Sequence, residues 1–204
     1  TMTGFQLAEM LSLLGGELDP VLSARVRHEC DKRLFEPYLN RHDHWWLFPA
    51  PDRDLNNWTA VCNAGVIGAA IYLEDDPARL AEMIARALHS MDYYLDTFDR
   101  DGGSTEGPGY WGYGYGNYVL FAHMVEHRTN RRINLLDGDL IYNVSQFPLR
   151  TWLSGRQYVN FSDTDPEIRF PVSLLALLAE RLDLPDLRRL GVLDRVVEDP
   201  LEND

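Results

Sequence analysis

From Asp76 onward, Leu80, Met83, Ile84, Ala87, Leu88, Met91, Leu95 and Phe98 recur at spacings of three and four residues. The spacing predicts a helix with one apolar stripe, opened by Asp76-Pro77 as cap and first turn. A clean alternation of apolar and polar residues, which would mark a half-buried strand, occurs nowhere in the chain. The chain is therefore expected to be all-α, because helices with a single apolar face must bury it against one another.

The same reading places the other helices. Residues 5 to 14 form a short apolar helix closed by Gly15-Gly16, and Asp19-Pro20 opens a longer one that runs to Tyr38. In that second helix Val21, Leu22, Val26, Leu34 and Phe35 recur at helical spacing, while Arg25, Arg27, Glu29, Asp31, Lys32 and Arg33 supply a solvated face. A third starts near Asn56, and its Ala60, Ala64, Gly65, Gly68, Ala69 and Ala70 suit close burial among neighbours. Further helices are expected from Tyr118 to about His127, from Leu135 to Phe147 with Pro148 as the stop, and over Val172–Leu182 and Leu187–Val197. Helices of similar size joined by loops of unequal length suit stacked αα-hairpins forming a partial (α/α) toroid, with no substantial β-sheet. At 204 residues the whole chain, 1–204, fits a single helical domain. The segments 40–55, 99–117 and 148–170 break the pattern, and the expectation is that they share one cleft at one end of the array.

The most unusual of the three runs from Asp99 to Gly116, DRDGGSTEGPGYWGYGYG. Glycines permit positive φ and let a ligand come close to the backbone, and Tyr and Trp offer flat apolar faces with a hydrogen-bonding edge, the combination that suits sugar rings. The alternative is a glycine-rich helix connection whose rings fill the core. Both readings stay open on the sequence.

Charge and motifs narrow the function classes. A formal charge of -13 argues against nucleic acid, whose binders present a basic face. No apolar run is long enough to span a bilayer, and no charged-then-apolar leader opens the sequence, an absence that a trimmed chain would share. Cys30 and Cys62 lack zinc spacing and read as small buried hydrophobes. His42-Asp43-His44 reads as a solvated loop, and His123 and His127 as helix-surface or core residues. Asp99, Asp101 and Glu106 do not match a calcium loop, nor does Gly112–Gly116 match a dinucleotide fingerprint. No metal or cofactor is expected. The triplets Asn57-Trp58-Thr59, Asn143-Val144-Ser145 and Asn160-Phe161-Ser162 are taken as chance matches to the glycosylation pattern, in or near packed segments. Asn56-Asn57 at a helix start is explained either by capping or by an amide that hydrogen-bonds a substrate carboxylate.

His44-Trp45-Trp46, the run Asn56–Gly65, Asp101-Gly102-Gly103 with Glu106–Gly114, and Asn160–Asp163 together make residues 20 to 185 resemble the heparinase II/III-like polysaccharide lyases. The resemblance implies the helical toroid portion of such an enzyme, which in relatives is followed by β-sandwich domains, and leaves open whether this part acts alone. It implies β-elimination at a uronic acid: Asn57 matches the asparagine that neutralises the carboxylate, and Tyr110 the tyrosine that moves the proton. Asn56, Trp58, Glu106, Trp111 and Tyr115 would then bind the polysaccharide or oligosaccharide. Trp58 stands where many relatives carry a histidine, so the partner of Tyr110 is unassigned. A phenol titrates near 10, so its use as a base needs nearby positive charge, for which Arg100, Arg150 and Arg156 are candidates. A periplasmic or secreted setting is what the resemblance implies; the residues themselves leave compartment and oligomeric state open.

Two other readings compete. One is an (α/α)-barrel glycoside hydrolase, for which Glu106 with Asp101 or Asp163 would be the carboxylate pair. The other is a non-catalytic glycan-binding helical domain in which Trp45, Trp46, Trp111 and the tyrosines bind or pack.

Overall fold

The computed structural model describes residues 1–196, with side chains described through residue 191. The chain is all-α: 63% is helical, with one small two-stranded sheet among the described residues. Where the sequence suggests one domain, the chain divides into two compact units, one of residues 1–96 and 120–134, the other of residues 97–119 and 135 onward. Residues 197–204 of the single-domain expectation, and Val197 at the end of the last expected helix, lie outside the described residues.

The first unit contains α1 (Met2–Leu14), α2 (Pro20–Cys30), α3 (Glu36–Asn40), α4 (Asn57–Leu73), α5 (Pro77–Leu95) and residues 120–128 of α7 (Gly116–Arg128). Three of these helices, α2, α4 and α5, start on a side-chain cap that the sequence announces. Asp19 accepts from Val21 N at 2.7 Å, Asn56 from Trp58 N at 3.0 Å and Asp76 from Ala78 N at 2.9 Å, each satisfying a donor that the first turn leaves without a helical partner. On α5 the stripe Leu80, Met83, Ile84, Ala87 and Met91 is buried, and burial contributes about 1.5 to 3 kcal/mol for each of the larger side chains. All of α4 is buried except Trp58, Ile71 and Tyr72. Its small residues allow this: a Cβ at Gly68 would lie 2.8 Å from the Phe5 ring, and one at Gly65 2.9 Å from Thr1 and Met2, so α1 packs directly on α4. Glu74–Asp76 is the short link between α4 and α5, which pack as an αα-hairpin.

The helix expected from Pro20 to Tyr38 is continuous but changes pitch. Between α2 and α3 lies a π-helical turn, Asp31–Phe35, in which Glu36 N reaches back to Asp31 O. Pro37 has no N–H to donate and its ring crowds the carbonyl four residues earlier, so a wider turn before it relieves an interior proline. The apolar stripe begins later than the periodicity suggests. Val21 is 78% exposed and Leu22 is also exposed, while Val26, Cys30, Phe35 and Tyr38 are buried.

The second unit departs further from expectation. Residues 99–117 are not a loop throughout: α6 (Gly107–Tyr110), a π-helical turn (Trp111–Tyr115) and the start of α7 make residues 107–119 helical. The helix expected over 135–147 shrinks to α8 (Asp139–Ser145), entered through Gly138 at φ 92°. Pro148 does not stop a helix; it sits in the first turn of α9 (Phe147–Thr151), where a missing N–H is harmless. A hairpin follows, β1 (Trp152–Ser154) antiparallel to β2 (Gln157–Tyr158), with Trp152 opposite Tyr158. The last two helices, α10 (Val172–Arg181) and α11 (Asp186–Val196), pack as a second αα-hairpin. No described helix is long and apolar enough to cross a membrane.

Candidate functional site

In the first unit, a buried polar chain fixes the turn that carries His44, Trp45 and Trp46. Tyr38 OH donates to Asn63 Oδ1 (2.7 Å), and Asn63 Nδ2 donates to Thr59 O (2.9 Å) and to Ser90 Oγ (2.8 Å). Ser90 Oγ in turn donates to Leu47 O (2.6 Å). Tyr38, Thr59, Asn63, Ser90 and Leu47 are all buried, so the chain ties α3, α4 and α5 to the 44–47 turn in a setting where broken hydrogen bonds are costly. Burial pushes the Tyr38 phenol well above its ordinary range, against a smaller opposing effect of Arg86, which keeps it a neutral donor.

Around this chain the rings are layered. His44 stacks on Trp46 (5.2 Å between centroids) and Trp46 on Tyr38 (6.2 Å), while the Arg86 guanidinium lies 5.9 Å from the Tyr38 ring and 5.4 Å from that of Phe48. Arg86 Nη2 also donates to Arg41 O (2.7 Å). Arg41 makes a bidentate pair with Asp43 (2.9 and 2.8 Å), and its hydrogen bonds hold the Asp43 carboxyl down at about 2. At the surface, Trp45 and Trp58 lean together, centroids 6.1 Å apart and planes 54° apart, 39% and 50% exposed.

In the second unit, glycines build a rigid turn. Gly107 sits at φ 84°, and a Cβ there would fall 2.7 Å from Phe161 O and still closer to Thr164 Oγ1. Thr164 Oγ1 accepts from Gly109 N (3.3 Å), so the 159–165 segment clasps the turn. Segments 99–117 and 148–170 thus touch within this unit. Upstream, Gly102 at φ 87° lies hard against the Asn143 carbonyl, Asn143 Nδ2 donates to Arg100 O (2.9 Å), and Arg150 donates to Asp101 O and to Asn143 Oδ1 (3.3 Å).

The candidate residues fare differently. Asn56 is the cap of α4, the structural role that capping propensity offers. Asn57 opens that helix at 4% exposure, so its side chain faces protein. Trp58 is exposed, and Glu106 and Tyr110 are half-buried. Trp111 and Tyr115 correct the expectation that they line sugar subsites, because both rings are fully buried. Trp111 Nε1 donates to Val144 O (2.8 Å) and its ring meets Phe170 edge-on, while Tyr115 OH bonds Ser145 Oγ (2.9 Å) and donates to Ile141 O (3.3 Å). A helical segment places residues four apart on one face, so Trp111 and Tyr115 turn inward together and Tyr113, 48% exposed, turns out. Burial raises the Tyr115 phenol above its ordinary range, partly offset by the Ser145 bond.

Of the proposed charge donors, Arg150 is held by Asp101 O and Asn143, and Arg156 lies 3.7 Å from Glu167. Cys30 and Cys62 are buried free thiols, and burial raises both. His123 and His127 are exposed on α7, and Asn160-Phe161-Ser162 is exposed rather than packed. No cluster of three or more metal-ligating side chains occurs among the described residues. The residues missed on sequence are the positioning ones: Asn63, the one amide within an otherwise small and apolar stretch of α4, Ser90 on the core side of α5, and Thr164 inside the irregular 148–170 segment. Compared with models of known families and with curated proteins, the chain matches none.

Proposed function

We propose that the chain is the helical part of a polysaccharide lyase that cleaves a uronic-acid-containing glycan by β-elimination, its αα-hairpins belonging to a partial (α/α) toroid. The observation that carries the proposal is the Gly107–Tyr115 turn. Glycine stands at the position where no side chain fits, Thr164 and Phe161 hold the backbone, and Tyr110 is left half-buried while Trp111 anchors the next residue in the core. A phenol on a clamped backbone suits proton transfer, which needs a positioned group.

In this reading Tyr110, as phenolate, takes the proton from C5 of the uronate. The C4–O bond then breaks, C4 and C5 form the double bond, and the phenol returns its proton to the departing oxygen, which restores the phenolate for another cycle. By resemblance Asn57 is assigned the carboxylate-neutralising role, for which its side chain, 4% exposed, must turn out from the protein, while the neighbouring Asn56 caps α4. A neutral amide donor favours the charge that builds on the carboxylate oxygens as the proton leaves. Trp58 and Glu106 take sugar-binding roles.

The test is incubation with alginate and with heparan sulfate. The proposal predicts rising ultraviolet absorbance from an unsaturated uronate. New reducing ends without that absorbance would replace it by hydrolysis, and neither signal on either polymer would overturn it.

A further inference from the structure

We infer that Trp45 and Trp58 form a sugar-stacking platform that binds one pyranose ring through its C–H face, independently of charge. The inference deepens the glycan reading above and rests on its assumption that a saccharide is the ligand.

Three features lead there. First, the pair is held in place from both sides. Trp58 follows a capped helix start, and Trp45 belongs to the turn that Ser90 fastens through Leu47 O, so the backbone that carries both indoles is fixed before any ligand arrives. Pre-ordering of this kind lowers the entropic cost of binding. Second, the patch is small. Two indoles exposed by 39% and 50% present about 200 Å² of surface at the usual area of a Trp side chain, a fraction of the roughly 800 Å² per partner that a stable protein interface needs. A single flat ring fits that size, and a protein partner does not. Third, the centroids are 6.1 Å apart, too close for a ring to enter between two planes, so the ligand lies across the outer faces of the tilted pair.

Charge is taken up elsewhere. Arg41 is held bidentately by Asp43, and Arg86 is spent on Arg41 O and on the Tyr38 and Phe48 rings. The platform therefore reads the apolar face of a sugar and tolerates a neutral ring as well as a uronate.

The experiment titrates the full chain with alginate oligosaccharides and with neutral manno-oligosaccharides, following tryptophan fluorescence and calorimetry. Saturable binding is expected for both. Trp45→Ala and Trp58→Ala should each weaken it about tenfold, equivalent to about 1.4 kcal/mol. Raising salt from about 0.05 to about 0.5 M should change Kd less than about threefold, since a stacking contact is hardly screened. Both tryptophans are exposed, so circular dichroism should show the variants folded. Wild-type affinity in both variants, no saturable binding of any saccharide, or binding of the uronate chain alone with steep loss in salt would each overturn the platform. Failure here is distinguishable from failure of the lyase reading. Elimination without dependence on Trp45 and Trp58 sinks only the platform, and Trp-dependent binding without ultraviolet product sinks only the reaction.

Discussion

Ser90→Ala should cost the first unit more than any other single-oxygen deletion in its core. The hydroxyl does two jobs at once: it donates to Leu47 O at 2.6 Å and accepts from Asn63 Nδ2 at 2.8 Å, with no exposure to water that could substitute. Its removal leaves one buried carbonyl and one buried N–H without these partners. At about 1 to 3 kcal/mol for each group so stranded, the sum is about 2 to 4 kcal/mol, after allowing for partial relaxation. Tyr38→Phe removes one donor, from Asn63 Oδ1, and should cost about half as much, 1 to 2 kcal/mol. Because both bonds converge on Asn63, the double variant should fall short of the sum of the singles. Urea denaturation followed by circular dichroism gives the values, and for a chain of this length about 3 kcal/mol should lower Tm by roughly 6 to 12 °C. Ser90→Ala should also change the tryptophan emission, because it releases the turn carrying Trp45 and Trp46. A loss below about 0.5 kcal/mol, or a cost for Tyr38→Phe equal to that of Ser90→Ala, would refute the idea that a connected polar chain holds this turn.

Other consequences are quicker to check. Gly107→Ala should destabilise the second unit by about 2 kcal/mol or more, since a positive φ alone costs about 1 to 2 kcal/mol and the added Cβ meets Thr164 and Phe161; native-state hydrogen exchange at residues 107–119 should rise, and unchanged protection would contradict the clasp. Asp43 should titrate at about 2 by NMR, and Arg41→Ala should return it toward the ordinary carboxylate value near 3.9. Because the folded value is depressed, that pair favours the folded state above about pH 4 and the benefit fades as pH falls toward 2. Cys30 and Cys62 should react with a thiol reagent slowly in the native protein and fast in urea, as burial holds both thiols up; equal rates would contradict their packing.

Caps and periodicity made much of the first unit readable. Asp19, Asn56 and Asp76 mark three helix starts correctly, and the α5 stripe lies in the core as its spacing indicates except at Leu88 and Leu95, which are half-buried. The second unit was harder because glycine is ambiguous. Run together with tyrosines, it reads as a loop, yet neighbours that force a helical path make residues 107–119 helical, with Trp111 and Tyr115 as the core side. Pro148 was misleading for a related reason: a proline stops one helix or starts the next, and only the surrounding structure decides. Of the candidate positions, the exposure of Trp58 is legible and the residues that hold the turns are not. Exposed aromatics near a helix start can be guessed, but Ser90 and Thr164 act through backbone carbonyls and amides distant in sequence, which no local pattern reveals.

The most direct measurement of the central proposal compares turnover by the wild-type chain and by Tyr110→Phe on the same uronate polymer, with circular dichroism confirming both are folded. Wild-type protein should generate the ultraviolet-absorbing unsaturated product, and the variant, lacking the phenolic oxygen that moves the proton, should lose at least a hundredfold in rate. Equal rates from the two proteins would contradict the role given to Tyr110.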